Sequence, residues 1–324
     1  MRGAEGMKPI RAAVIGAGSF GQNHIRVIRQ IEGVELAAVV DMDPAKAPLQ
    51  SIEPALGGID AAVVATPTVT HEAIGTQLIE AGVDVLVEKP IADSSAAGER
   101  MARLAEERGR ILQVGHLERF NPAILALERQ VTVPLFFEVH RLSVFTPRSL
   151  DIDVVLDLMI HDLDIVLSFT RKLPNEIRAA GISVLSGKVD IANVRLAFED
   201  GCVANLTASR VSTEKVRKLR VFQPGEYISI DYQRQDALLL GIRKNEPNGF
   251  VSKKLEVECA EPLELELRAF FGAVRERSRP RVDGFQATEA LRVGEAILDK
   301  IKEHADLVSD TLRRANQRNS KNVP

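Results

Sequence analysis

Short aliphatic runs alternate with helical segments over the first third of the chain, and this alternation constrains the fold more than any other sequence feature. The runs are rich in Val, Ile, Leu and Ala, show little polar alternation, and end at Gly, Asp or Pro. Such runs are typical of parallel strands that are buried on both faces of a sheet. They occupy residues 11–18, 34–41, 61–68, 83–90 and 110–116.

Helix signals mark the segments between these runs. Segment 71–82 ends at a glycine, and segment 94–109 begins with a serine that can cap a helix and also ends at a glycine. Strand–helix alternation of this kind predicts a doubly wound α/β sheet of the Rossmann type. We assign this first domain to residues 7–118.

The pattern changes after residue 118, where strand-like segments follow one another without intervening helices. This predicts an α+β domain, over 119–305, with a large, mainly antiparallel open sheet and one buried face. Its final helix is also compatible with packing back on the first domain, and residues 306–324 are expected to form a solvated tail. The predicted strands are 135–142, 176–185, 191–199, 202–210, 216–223, 226–233 and 253–260, and the predicted helices are 121–130, 152–169, 262–278 and 286–303.

Composition excludes several classes of function. The 324 residues include 42 basic and 45 acidic side chains, so no strong overall field attracts nucleic acid or an anionic membrane. No apolar run is long enough to span a membrane, and no signal-peptide pattern is present, so we expect a cytoplasmic protein. Aromatic residues make up 4% and Trp is absent, which predicts a binding site built from backbone, aliphatic and charged groups.

The sequence Gly16-Ala17-Gly18-Ser19-Phe20-Gly21 follows the first run and opens a helix, as a dinucleotide fingerprint does. Gly16 permits a tight turn, Gly18 lets the backbone approach a pyrophosphate, and Gly21 lets helix and strand pack closely. Asp41 ends the second run, where a carboxylate would bind the ribose hydroxyls. The alternative is a purely structural glycine turn with an unrelated aspartate.

The choice between the two nicotinamide cofactors depends on the residues after the second run. Asp41 and Asp43 would repel a 2′-phosphate, and the first basic residue that follows is Lys46. This favours NAD over NADP.

Glu88-Lys89-Pro90 closes the fourth run, at the sheet edge where open α/β sheets bind ligands. A lysine beside a bound cofactor could stabilise a substrate alkoxide as hydride leaves. A solvated loop charge is the alternative interpretation of Lys89.

Four polar residues recur at helical spacing in a segment where nearly everything else is aliphatic: Asp153, Asp157, His161 and Asp164. Such a stripe is expected to face a cleft or solvent, and a His between acids suits a general base. A solvated helix face is the alternative. The six histidines form no close pair, so we expect no catalytic metal.

Taken together, G-A-G-S-F-G with His24 shortly after, E-K-P at 88–90 and D-x-x-x-H-D-x-D at 157–164 resemble the glucose–fructose oxidoreductase/inositol dehydrogenase (Gfo/Idh/MocA) family over essentially the whole chain. The resemblance implies NAD(P)-dependent oxidation of a sugar or polyol hydroxyl and a homodimer or homotetramer. It implies that Lys89 contacts substrate and nicotinamide, that His161 takes the hydroxyl proton, and that Asp157 is its partner. It also implies a cofactor-lining segment that contains Thr66, Pro67 and His71.

Segments 114–123 and 151–164 are similar to the branch of this family that oxidises UDP-N-acetylglucosamine at C3 and serves lipid A synthesis. A sugar nucleotide carries a diphosphate that cationic side chains can bind, so four arginines are candidates for this role. Each of them could instead be a surface residue. Asn121 and Asp164 are further substrate-binding candidates, and Phe120, Phe145 or backbone groups are left to hold uracil. The arginines are Arg119, Arg141, Arg148 and Arg210.

Segment 42–60 is short for the connection that it must make and contains three prolines, which predicts an abbreviated crossover. Two other functions stay open. One is a dehydrogenase of another sugar or polyol such as inositol, and the other is a non-catalytic NAD-binding regulator. Intact Lys89, Asp157 and His161 argue against the regulator.

Overall fold

The computed structural model describes residues 8–146, 152–242 and 249–321. The strands are β1 Ile10–Ile15, β2 Val34–Val40, β3 Ala61–Val64, β4 Asp84–Glu88, β5 Leu112–Gly115, β6 Phe136–Val144, β7 Glu176–Ile182, β8 Ile191–Ala197, β9 Val203–Ser212, β10 Val216–Gln223, β11 Glu226–Asp231, β12 Asp236–Ile242 and β13 Phe250–Lys254. The helices are α1 Ser19–Ile28, α2 Glu53–Leu56, α3 His71–Glu80, α4 Ser95–Glu107, α5 Pro122–Glu128, α6 Ile160–Thr170, α7 Pro262–Glu276 and α8 Gly284–Lys321.

The chain divides into two compact units. The first contains the described residues up to Pro122 together with Cys259–Leu291, and the second contains Ala123–Glu258 and the residues from Arg292 onward. The chain enters the second unit after Pro122 and returns to the first through α7 and the start of α8, whereas we expected residues 119–305 to form one domain whose final helix could pack back on the first.

The first unit is built on a five-stranded parallel sheet in the order β2-β1-β3-β4-β5, which confirms the predicted α/β class. Its central strands are fully buried, as the aliphatic runs predict. Helices α1 and α7 share one core cluster with β1, in which Ile25 and Ile28 of α1 lie with Phe270 and Phe271 of α7. The crossover from β2 to β3 contains only the four-residue α2 and an isolated bridge between Val40 and Leu49.

The second unit contains an eight-stranded sheet in the order β13-β12-β11-β10-β6-β9-β8-β7. Its neighbouring strands pair antiparallel except for β6 and β9, which are parallel. Alternate residues of β6, including Phe137 and Val139, are buried. The Phe137 ring lies 6.1 Å from that of Phe169 on α6, so this helix covers the buried face.

The observed elements depart from the predicted ones in three places. Strand β12 was not predicted, and the last strand was expected at 253–260, whereas β13 ends at Lys254. Helix α8 continues to Lys321, so the expected solvated tail is largely helical. Within the described residues, no helix has the length and apolarity to cross a membrane.

Candidate active site

The glycine turn after β1 has the conformation that a dinucleotide fingerprint requires. Gly16 has a φ of +93°, and an added Cβ there would lie 2.6 Å from the Ala65 carbonyl oxygen. An added Cβ at Gly21 would lie only 1.8 Å from the carbonyl oxygen of Gly16. Both positions therefore exclude a side chain, because backbone atoms occupy the space that it would need.

Gly18 serves a different purpose from its neighbours. It precedes the ten-residue helix α1, and an added Cβ there would meet no atom within 4 Å. Ser19 and Phe20, which follow it, are exposed. The start of α1 thus offers an open backbone surface and the partial positive charge of a helix N-terminus, which fits a bound diphosphate.

This difference between the glycines makes a testable prediction. Gly21→Ala should destabilise the protein by about 1–3 kcal/mol, because the new Cβ collides with backbone. Gly18→Ala should leave the free energy of unfolding unchanged and weaken NAD binding at least tenfold. Chemical denaturation and calorimetric titration with NAD measure the two effects. Wild-type affinity in Gly18→Ala would show that the cofactor diphosphate does not approach this residue.

Asp41 lies at the end of β2 and connects the second strand to the glycine turn. Its Oδ2 accepts a hydrogen bond from the Ala17 N–H at 2.7 Å, and its Oδ1 accepts one from the Asp43 N–H at 2.9 Å. The bonds from Asp43 and Ala17 lower the pKa of the Asp41 carboxyl, which is therefore ionised at neutral pH. A fixed negative charge here suits ribose hydroxyls as hydrogen-bond donors and disfavours a phosphate on the same ribose.

His71 holds two loops of the first unit together. Its Nδ1 lies 2.9 Å from the Pro90 carbonyl oxygen, its Nε2 lies 2.9 Å from the Thr66 carbonyl oxygen, and the side chain is buried. The resemblance implied a cofactor-lining role for Thr66, Pro67 and His71. The geometry gives His71 an internal role, because it fixes the backbone that carries Thr66 rather than presenting its own ring to solvent.

The Glu88-Lys89-Pro90 segment is fixed by a buried histidine on α1. His24 is fully buried, and its Nε2 lies 2.7 Å from Oε1 of Glu88, whose side chain is 15% exposed. The Lys89 backbone N–H donates to Glu88 Oε2 at 3.3 Å. The Lys89 side chain is half-buried at the carboxyl end of β4, the edge that also carries the glycine turn.

The histidine motif of the second unit starts on a π-helical turn, Val155–Met159, that leads directly into α6. Asp157 lies within this turn, His161 lies in the first turn of α6, and both are half-buried. The expected single stripe is wrong in two respects. Asp164 is buried, and Asp153 precedes the helix, where its Oδ1 accepts the Val189 N–H at 2.8 Å. Asp157 and His161 remain the accessible pair, on a turn type that is frequent at functional sites.

Arg141 does not have the role that we expected of it. Its Nε and Nη2 donate to the two oxygens of Asp162 at 2.6 and 2.9 Å, and both side chains are 2% exposed. Its guanidinium also lies 5.2 Å from the ring centroid of Tyr232, whose hydroxyl donates to Asp162. This buried pair ties β6 to α6, so we remove Arg141 from the diphosphate candidates. Asp162 was not among the predicted site residues, because the sequence of a helical motif does not reveal which strand an acid in it faces.

The other expected substrate residues fall into three groups. Arg210 is buried, donates to the Ile152 carbonyl oxygen and lies 3.8 Å from Asp190, so it also has a structural role. Arg119 and Asn121 are buried in the first unit, where Asn121 donates to Glu118 at 3.2 Å. Arg148 lies outside the described residues.

The two phenylalanines that were left to hold uracil differ in accessibility. Phe120 is buried, and the Arg281 guanidinium lies 5.7 Å from its ring centroid. Phe145 is 37% exposed and stays available. In the described parts of the chain, no group of three or more His, Cys, Asp or Glu side chains is placed to hold a metal ion.

Comparison with known proteins agrees with this arrangement. Residues 10–116 match the oxidoreductase family with an NAD-binding Rossmann fold, and residues 135–223 match the GFO/IDH/MocA C-terminal domain. A UDP-N-acetylglucosamine 3-dehydrogenase from Acidithiobacillus ferrooxidans is 38% identical over 69% of this chain and 74% of the relative. A scyllo-inositol 2-dehydrogenase (NAD(+)) from Bacillus subtilis is 25% identical over 94% of this chain and 97% of the relative.

Solved structures give the same result at the level of the fold. A UDP-N-acetylglucosamine 3-dehydrogenase structure from Acidithiobacillus ferrooxidans has a TM-score of 0.86 and 31% identity, covering 92% of this chain and 99% of that one. The glycine turn, the lysine at the end of β4 and the Asp157–His161 pair occur in the order that the resemblance requires. The chain belongs to the Gfo/Idh/MocA family and is an NAD-binding oxidoreductase.

Proposed function

We propose that this protein is an NAD-dependent sugar-nucleotide dehydrogenase that oxidises the C3 hydroxyl of UDP-N-acetylglucosamine to a ketone. The observation that carries the proposal is the pair of half-buried side chains Asp157, on the π-helical turn, and His161, in the first turn of α6, in a chain that is 38% identical to an enzyme named for this reaction. The product would be a 3-keto sugar nucleotide, the substrate type for an aminotransferase in lipid A synthesis. The reaction would take place in the cytoplasm, in a homodimer or homotetramer.

His161 is the general base. Its imidazole takes the proton of the substrate hydroxyl, and Asp157, which precedes it by four residues, orients the ring and stabilises the charge that forms. When bound, NAD accepts the hydride from the substrate carbon. Lys89 stabilises the negative charge that develops on the substrate oxygen during this transfer.

The residues of the first unit would hold the cofactor. Gly16, Gly18 and Gly21 leave the start of α1 open to a diphosphate, with Ser19 and Phe20 exposed beside it. The charge of Asp41 favours NAD over NADP. Thr66, Pro67 and Glu88 belong to the two loops at the same sheet edge, and His71 holds those loops in place.

Three further residues are proposed to bind substrate: Arg119, Asn121 and Asp164. The 3₁₀ turn Leu117–Phe120 carries the arginine, and Asn121 follows it directly. Their burial suits polar groups that are fixed in orientation before a ligand arrives.

The test is a panel of UDP-N-acetylglucosamine, related sugar nucleotides and free inositols, each with NAD and with NADP. NAD(P)H absorbance reports turnover, and a coupled aminotransferase removes the ketone. We expect turnover of UDP-N-acetylglucosamine with NAD. The 25% identity to an inositol dehydrogenase supports the second candidate, so turnover of inositol alone would replace the substrate assignment. NAD binding without turnover of any compound would favour the regulator.

A further inference from the structure

A second carboxyl group lies buried near Glu88 in the first unit, and the mechanism above does not use it. Glu266, in the middle of α7, has no exposed surface. Neither of its carboxyl oxygens has a hydrogen-bond partner among the described residues. A buried carboxylate without a partner is strongly unfavourable, so a side chain in this position is expected to keep its proton.

Glu266 is not only buried but also lies near the negative charge of Glu88. Burial, and after it the charge of Glu88, raises the pKa of the Glu266 carboxyl well above its usual range. Elements packed against α7 carry a few other charged or titratable groups, and several of these have partners of their own: Arg26 pairs with Glu261, and Glu118 accepts from Asn121. These groups are His24 and Arg26 on α1, Glu118 and Arg119 on the 3₁₀ turn, Glu88 at the end of β4 and Lys89 directly after it.

Glu88 is ionised in the same environment because it has partners. Burial alone would raise its pKa, but the hydrogen bond from His24, the charges of His24 and Lys89, and the Lys89 N–H outweigh burial, and the pKa of Glu88 is lowered. The backbone of β5 approaches closely, since an added Cβ at Gly115 would lie 2.9 Å from Glu88 Oε2. The Glu88 carboxylate therefore has one defined position.

We propose that His24, Glu88 and Glu266 form a buried positioning cluster for Lys89. His24 and the Lys89 backbone N–H fix the Glu88 carboxylate, and Glu266 carries a proton so that a single negative charge is buried beside the lysine. Gln113 on β5 fixes α7 at this point, because its Nε2 donates to the Glu266 carbonyl oxygen at 3.4 Å. The link between this cluster and catalysis rests on the proposed role of Lys89. The charge states of Glu88 and Glu266 do not depend on that role.

The proton on Glu266 can be tested without any substrate. In the unfolded chain Glu266 ionises above its ordinary pKa, whereas in the folded protein it stays neutral until a higher pH. Its contribution to stability is therefore complete below the unfolded pKa and is lost as pH rises toward the folded one. Glu266→Gln removes this dependence, so the folding equilibrium constant of the variant relative to wild type should rise with pH by up to about tenfold per unit.

Urea unfolding of both proteins between pH 5 and 9 measures this ratio, and Glu264→Gln, an exposed acid on the same helix, is the matched control. A second arm repeats the comparison in a Glu88→Gln background, where the dependence should shrink because the neighbouring charge is gone. A ratio that does not change with pH would overturn the protonated state of Glu266. If Glu266 had only a packing role, the pH dependence of the Glu266→Gln effect would be the same with Glu or Gln at position 88.

The positioning of Lys89 is tested by Glu88→Gln alone. The amide cannot accept as strongly from the Lys89 N–H, so hydrogen exchange in the peptide around Lys89 should accelerate. The kcat should fall about 10²-fold, as expected when a catalytic group is displaced by about 1 Å. Unchanged exchange and kcat would overturn the positioning role. If wild type turns over no compound in the panel, the proposed function fails, and the exchange result still decides the role of Glu88.

Discussion

Replacing His161 or Lys89 with alanine is expected to reduce kcat by about 10²–10⁴-fold while leaving the NAD Kd nearly unchanged. A positioned general base contributes a factor of this size, and removing a donor that stabilises a developing oxyanion costs about 10²–10³. His161 lies on α6 in the second unit, and the glycine turn lies in the first, so loss of the imidazole leaves the cofactor-binding surface intact. Steady-state kinetics and NAD titration of the same preparations measure both quantities.

Matched controls separate chemistry from damage to the fold. His140→Ala removes an imidazole from β6, and Lys46→Ala removes an exposed ammonium group from the first unit. Both should keep wild-type kcat. Retention of more than about a tenth of wild-type kcat by His161→Ala, a loss of less than 1.4 kcal/mol in the barrier, would exclude it as the general base.

Asp162→Asn is expected to destabilise the protein by about 3–5 kcal/mol, because it leaves the Arg141 guanidinium buried with its charge uncompensated. The change should appear as a lower urea midpoint with an unchanged slope. Replacing the pair together, with Arg141→Met and Asp162→Leu, should recover most of the loss, since no unpaired charge remains.

The comparison pair for this experiment is Arg103 and Glu99, which form an exposed bridge one turn apart on α4. Glu99→Gln should leave the urea midpoint unchanged, because solvent screens an exposed pair. If Asp162→Asn lost no more stability than Glu99→Gln, the buried pair would have no structural role, and Arg141 would again be a candidate for the substrate diphosphate.

The first unit could be predicted from local sequence patterns because its candidate cofactor-binding residues lie at the ends of its strands. Each aliphatic run became a strand of the parallel sheet that begins within two residues of the predicted start, although β1 and β3 end three and four residues before their runs. The glycine turn and the Lys89 segment lie at the carboxyl edge of that sheet. Gly16 and Gly21 were identified as backbone requirements, and the structure confirms that neither has room for a Cβ. Parallel strand topology puts such segments at one edge without help from distant contacts.

The second unit was harder to predict from the sequence because its helical motif is not a regular α-helix. A spacing of four, four and three residues predicts one face only if every turn is α-helical, and the π-helical turn at 155–159 breaks that assumption. Strand β12 was missed because it lies between turn-like segments and carries a glycine.

By itself, the sequence determined the order of elements, the family, the glycine turn and the identity of the candidate catalytic residues. These are encoded in local periodicity and in motifs that need only their own neighbours. Tertiary structure alone decided which buried charges pair: Arg141 with Asp162, His24 with Glu88, and Glu266 with no partner among the described residues. Residues that are far apart in the chain meet only after the strands and helices pack, and a buried charge is stable only where a partner is brought to it.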